Sequence, residues 1–242
     1  MSKDFFVLGL RVQSCTMPET VAALTDRLQN RRQAFVVTLN PEMAVACGKD
    51  RDFQQAVSGA DFVLPDGVGI VWAGRYWGNF VPGRVTGFDL TQELFKVADE
   101  HKYKVFLLGA TPGVAEAAAE NCRSVYPNLI FAGCNDGFFE ETAVDGIVKT
   151  INQAGTDILL VALGMGKQEK WLYANRHKLN AAVLVGVGGV FDVLAGKVAR
   201  APRFLQNIGL EWLFRLYKEP RRFRRMLAIP VFIFSVIFGK RQ

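Results

Sequence analysis

Histidine is almost missing from this 242-residue chain, which holds only His101 and His177. Its four cysteines, Cys15, Cys47, Cys122 and Cys134, form no CxxC pair. A zinc centre built on several His or Cys ligands is therefore not expected, and no metal site is assigned. Scattered cysteines of this kind suit a reduced, cytosolic protein. The phosphate-loop pattern GxxxxGK[ST] is absent, as is the GxSxG elbow of one class of serine hydrolases. No internal repeat or low-complexity linker occurs. Long hydrophobic runs are lacking too. The N-terminal "MSKDFFVLGLRV" has no signal-peptide core of the usual length. Met226–Phe238 is thirteen residues, contains Pro230, and falls short of the roughly 20 needed to span a bilayer. It is expected to lie in a membrane interface rather than cross it.

What the chain does have is apolar mass and an uneven charge. Hydrophobic residues make up 50% and charged residues 21%, so a packed core is expected. The net charge of +6 is concentrated at one end. From Arg203 onward there are nine Lys/Arg and two acids, a net of +7. The preceding 202 residues carry 20 basic and 21 acidic groups, a net of −1. A neutral body with a cationic tail points to a polyanion: a membrane surface, a nucleic acid or a phosphorylated substrate.

Six short apolar runs alternate with helical patterns: "AFVVTLN" (34–40), "ADFVLPD" (60–66), "KVFLLGA" (104–110), "NLIFAG" (128–133), "DILLVALGM" (157–165) and "AAVLVGVGG" (181–189). They are near-continuous rather than alternating, as in strands buried on both faces. The reading is an α/β, Rossmann-like, mostly parallel sheet with helices on both faces. "FFVLGLRVQ" adds a strand or small hairpin. Thr111 and Pro112 read as an N-cap and first-turn pair, and Asp52 as a helix cap. The pattern changes near residue 202, which divides a core (1–202) from a helical appendage (203–242). Deleting the appendage is expected to leave a folded core that neither sediments with anionic vesicles nor transfers substrate.

In an open parallel sheet, ligands sit beyond the carboxyl ends of the strands. Those ends carry Thr38 and Asn40, Asp66 and Gly67, Gly109, the stretch Gly164 to Gln168, and Gly186 to Gly189. The stretches "GMGKQEKW" and "GVGGVFD" offer backbone N–H groups and helix N-termini to an anion. Gly186 and Gly188 line the second, and Asp192 at its end can accept from a ribose hydroxyl. Neither stretch fits the dinucleotide GxGxxG rule. Asp66 is the candidate general base, set against an Asx-turn or capping role. Arg84, between two glycines ahead of a helix, is placed to clamp a phosphate, set against an ordinary surface arginine.

Taken together, "TLNPEM", "LPDGVGIVWA", "RVTGFDL", "FLLGATPGVAE", "DILLVALGMGKQEKW", "GVGGVFDVLAG" and "RAPRFLQNIGLEWLFRLYKEPRR" resemble the WecG/TagA/CpsF glycosyltransferase family, family 26, in order and over nearly the whole chain. "PDG" and "NPEM" are most similar to its teichoic-acid linkage branch. The resemblance implies an inverting enzyme, peripheral on the cytosolic face of a bacterial membrane. Its donor would be UDP-N-acetylmannosamine. Its acceptor would be the 4-hydroxyl of N-acetylglucosamine on undecaprenyl diphosphate. The same resemblance makes Asp66 the base and gives Thr38 and Asn40 to the substrate pocket. It assigns Arg84 to the diphosphate, Gln168 to the donor, and Arg215, Arg222 and Arg225 to the appendage's cover over the site. No metal or other cofactor is implied, and a homo-oligomer is possible.

The tail fits this reading. Arg215, Lys218, Arg222 and Arg225 would share one face of a continuous helix, although Pro220 interrupts it. The following apolar run suits a lipid surface better than a nucleic-acid backbone. Two other readings stay open at the sequence level: transfer of N-acetylmannosaminuronic acid within the same family, and a nucleotide-dependent oxidoreductase, against which the poor GxGxxG match counts.

Overall fold

A computed structural model describes residues 4–207, 210–218 and 223–239. The chain opens with an antiparallel hairpin, β1 (Asp4–Val7) and β2 (Leu10–Gln13). The sequence predicts this element: Phe5, Val7, Leu10 and Val12 point inward while Phe6 and Arg11 point out. Helix α1 (Met17–Gln29) follows, opened by a capping box. Thr16 Oγ1 accepts from the Glu19 N–H at 3.3 Å, and Glu19 Oε2 accepts from the Thr16 N–H at 2.7 Å.

Next come β3 (Ala34–Leu39), α2 (Pro41–Cys47), α3 (Arg51–Ser58), β4 (Phe62–Pro65), α4 (Val68–Tyr76) and α5 (Gly87–His101). They are followed by β5 (Lys104–Gly109), α6 (Val114–Arg123), β6 (Ile130–Asn135) and α7 (Val144–Gln153). The core closes with β7 (Ile158–Ala162), α8 (Lys167–Asn175), β8 (Val183–Gly186) and α9 (Val190–Leu194). Strands β3 to β8 pair in the order β4-β3-β8-β7-β5-β6, and every pairing is parallel. All six apolar runs of the sequence are strands of this sheet.

The strands read as continuous apolar runs because both faces are covered. Phe35, Val37, Leu39, Phe106, Leu108, Leu159 and Val161 enter one core, with the hairpin, α2, α3, α4, α7 and α8. Ala34, Val36, Val105, Leu107, Ile158 and Leu160 enter the other, with α1, α5, α6 and α9. At about 25 cal/mol per Å² of apolar surface removed from water, these two layers dominate the stability of the fold.

Past residue 202 lie α10 (Arg203–Asn207), α11 (Glu211–Lys218), α12 (Phe223–Met226) and α13 (Ala228–Phe238). Pro230 sits in the first turn of α13 and so does not break it, because a first-turn N–H has no helical partner to lose. Phe232 and Val236 of α13 join the hairpin-side core, and α13 packs on α2 and α4. Residue 202 thus marks a change of pattern along the chain, while α13 folds back into the packing of the body. No helix among the described residues is long and apolar enough to cross a membrane.

Two local expectations are corrected. Helix α6 is capped by Gly113, in the left-handed conformation at φ 80, and not by Thr111. Thr111 and Pro112 form the preceding turn, with the Val114 N–H bonded to the Thr111 carbonyl at 3.0 Å. Asp50, rather than Asp52, caps α3: its Oδ1 accepts from the Phe53 N–H at 3.0 Å.

Candidate active site

Asp66 ends β4 and is fixed there by the backbone. Its N–H donates to the Leu39 carbonyl at 2.8 Å, extending the β3–β4 ladder by one residue. Gly67 follows at φ 83, a conformation that favours glycine, and lets the chain turn into α4. The loop 82–86 is drawn to the same strand end, since the Val85 N–H donates to the Pro65 carbonyl at 2.8 Å. Thr86 then caps α5. Its Oγ1 accepts from the Asp89 N–H at 3.2 Å and donates to Asp89 Oδ2 at 2.7 Å.

This arrangement points the positive end of the 15-residue α5 at Asp66. The Gly87 N–H donates to Asp66 Oδ2 at 3.3 Å. A Cβ on Gly87 would lie 3.1 Å from Thr38 Oγ1, so Thr38, Asp66 and Gly87 meet at one point. Asp66 is half-buried at the strand end and not turned into the interior. Asn40 sits one residue beyond β3 and caps α2, its Oδ1 accepting from the Met43 N–H at 3.0 Å.

A second group forms at the ends of β7 and β8. Gln168 is only 5% exposed. Its Oε1 accepts from the Gly188 N–H at 3.0 Å and its Nε2 donates to Glu169 Oε1 at 2.8 Å. A Cβ on Gly186 would stand 2.8 Å from Gln168 Nε2, which is why the strand ends in glycine. Gln168 therefore braces the Gly186–Gly188 loop from beneath. Asp192, half-buried in the first turn of α9, accepts at its backbone carbonyl from the N–H groups of Lys197 and Val198 at 2.9 and 3.1 Å. The two groups adjoin because β3 pairs with β8, Val37 opposite Gly186.

The appendage reaches the first group through ion pairs. Arg84 lies 3.7 Å from Glu211 of α11, and Arg225 of α12 lies 3.1 Å from Glu42 of α2. Arg225 also approaches Met165 Sδ at 3.7 Å. Phe232 comes close to Gly69, two residues past the start of the α4 turn. The backbone of α11 is described through Arg215 but that side chain is not, and Arg222 lies outside the described residues.

Four contributors escaped the sequence reading. Glu42 and Glu211 hold the arginines. Arg200 lies 2.7 Å from Asp89 and 4.2 Å from the centre of the Phe88 ring, pinning the approach to the appendage against the start of α5. Glu169 is 1% exposed and accepts from Gln168 Nε2 and, through Oε2, from the Gly166 N–H at 2.7 Å. Burial pushes its carboxyl above the ordinary range, and those two donors pull it only part of the way back. The local signal for Glu169 was its place three residues after a helix-leading glycine.

Among the described residues no group of three or more His, Cys, Asp or Glu could hold a metal ion. Asp50, whose carboxylate stands two residues before that of Asp52, is committed to its cap and to Lys170 at 3.0 Å. The charges available at the strand ends are instead the Asp66 and Asp192 carboxylates, helix N-termini and arginines. That set can take a proton from a hydroxyl and neutralise a leaving anion.

The model of the WecG/TagA/CpsF glycosyltransferase family matches residues 5–242. The chain is 40% identical over 204 residues to an N-acetylglucosaminyldiphosphoundecaprenol N-acetyl-beta-D-mannosaminyltransferase of Bacillus subtilis, covering 84% of this chain and 79% of that one. Proteins of the same name in Bacillus spizizenii and Staphylococcus aureus are 36% and 31% identical, over 90% and 98% of this chain and 84% and 93% of theirs. With the strand-end motifs and this match extending through the appendage, the chain belongs to the WecG/TagA/CpsF glycosyltransferase family.

Proposed function

We propose that this chain transfers N-acetylmannosamine from its UDP donor to the 4-hydroxyl of N-acetylglucosamine on undecaprenyl diphosphate. The activity named for three relatives supports the sugar and the lipid acceptor. The observation that carries the chemistry is the placement of Asp66, a half-buried carboxylate at the end of β4, facing the start of α5.

The Asp66 carboxylate takes the proton of the acceptor hydroxyl as its oxygen attacks the anomeric carbon. The bond from that carbon to the UDP oxygen breaks, and its electron pair leaves on the diphosphate. One base opposite the leaving group gives inversion. The Val187 and Gly188 N–H groups are already held by the Val161 carbonyl and Gln168 Oε1. Arg84, Arg225 and the N-terminal end of α9 stabilise the departing charge, with Asp192 on the nucleoside and no metal required. Removing one such donor costs about 3 kcal/mol of transition-state stabilisation. The acceptor is a membrane lipid, which supports a peripheral position on the inner face of the membrane. The exposed apolar residues of α13 and the cationic tail suit that surface.

The test is incubation with UDP-N-acetylmannosamine, UDP-N-acetylmannosaminuronic acid and other UDP-sugars, with a short-chain lipid-linked N-acetylglucosamine acceptor, read by mass spectrometry. A product heavier by one N-acetylmannosamine, formed only with that donor, is expected. Transfer of the uronic acid alone would overturn the reading.

A further inference from the structure

The far end of α4 from Asp66 holds a cavity of about 430 Å³. Phe6 and Leu8 of the hairpin, Trp77 after α4, and Phe234 and Phe238 of α13 line it. The rings stand open to solvent: Phe6 is 44% exposed, Phe234 63% and Phe238 71%. A recess of this size is large enough for part of an organic ligand, and aromatic and aliphatic residues line it together with Gly9, Ser235 and Gly239.

Two further observations bear on what fills it. The turn of the hairpin is Leu8-Gly9, with φ 50 and 81. Such a turn is ordinarily served by Asn-Gly or Asp-Gly, because bulky side chains resist the left-handed region. Here a leucine is held in that conformation, and its side chain lines the cavity. Backbone strain of this kind clusters at ligand sites.

The second observation is alignment. Helix α13 starts beside the catalytic end of the sheet, where Arg225 just before it meets Glu42 and Phe232 meets Gly69. It ends at the cavity with Phe238. Its eleven residues cover about 16 Å. The segment thus presents a cation near the site and aromatic rings away from it, the polarity of an anionic head with one apolar chain.

We infer that the cavity binds the polyprenyl chain of the lipid acceptor, whose diphosphate stays at the arginine end of α13. This rests on the acceptor assigned under the proposed function. A recess walled by three elements suits a single chain better than the flat surface of a bilayer, and it draws the hairpin and α4 into acceptor recognition.

The experiment compares full-length wild type with Leu8→Asn and Phe238→Ser in detergent solution. Acceptors are N-acetylglucosamine diphosphate lipids carrying geranyl or undecaprenyl chains. The expected result is a fall of about tenfold in the ratio of kcat/KM for the long over the short acceptor in each variant. Leu8→Asn should also melt no lower than wild type, since asparagine suits the turn. An unchanged ratio overturns the inference. So does a variant that keeps the ratio while losing sedimentation with anionic vesicles, or while changing oligomeric state, because the recess would then serve the bilayer or a second copy. A second readout needs no transfer: binding of undecaprenyl diphosphate alone, followed by tryptophan fluorescence, should weaken about tenfold in Leu8→Asn, and equal affinity counts against the inference. If wild type transfers to neither acceptor, the proposed function fails, and the binding measurement still decides the cavity.

Discussion

The carboxylate of Asp66 and the N–H of Gly87 stand 3.3 Å apart, so the residue that ends β4 is steadied by the helix that begins 21 positions later. Replacing the oxygen that takes the proton should be fatal to chemistry and mild for folding. Asp66→Asn is expected to lower kcat by about 10²–10⁴. The urea midpoint should change little. Wild-type turnover in the variant would remove Asp66 from the role of base.

Gly87 leaves little room for a side chain. A methyl group there would press on Thr38 Oγ1 from 3.1 Å and push α5 away from Asp66. Gly87→Ala is expected to cut kcat/KM by about tenfold or more through misplacement of the base. Unchanged kinetics would mean that the contact between α5 and Asp66 has no catalytic weight.

Glu169 gives a pH signature. Its carboxyl is raised above the ordinary value of 4.5, mainly by burial. The folded chain therefore holds this proton more tightly than the unfolded chain does. The stability it contributes is complete below pH 4.5 and is lost as pH rises through the raised value. Glu169→Gln does not titrate, so wild type should lose stability relative to it as pH rises from 4.5 toward neutrality. Parallel urea midpoints across that range would contradict the shift.

Phe232 tests the docking of the appendage. It is 1% exposed, belongs to the hairpin-side core and comes close to Gly69. Phe232→Ala should cost about 3–5 kcal/mol in denaturant unfolding and speed proteolysis after residue 202. No change in either would mean that α13 is not packed on α2 and α4 in solution.

Leaving-group stabilisation without metal makes a simple prediction. The transfer rate should be the same with and without EDTA. Abolition by EDTA and restoration by a divalent ion would show that arginines and N–H groups do not suffice.

The sheet was legible because its strands are buried on both faces, which leaves six unbroken apolar runs such as "AFVVTLN". The hairpin was legible for the opposite reason, its alternation between inward and outward residues. The cap of α6 was misread because Gly109 and Ala110 already turn the chain, at φ 125 and 62, before Thr111 is reached. Asp66 and Arg84 could be picked from their places, at a strand end and in a helix-leading loop, whereas Arg215, Arg222 and Arg225 took their roles over the site from family resemblance. Glu42, Glu211 and the Gly87 N–H left no local mark. Their partners lie at Arg225, Arg84 and Asp66, and only the tertiary fold brings such distant positions together.

Arg84 and Arg225 each face a carboxylate in the resting chain, Glu211 and Glu42. In the proposed mechanism substrate entry would swap one anion for another at guanidiniums that a carboxylate already holds in place. On that reading the two glutamates are placeholders that keep the cations in position between turnovers, and the same two contacts tie α11 and α12 to the body of the chain.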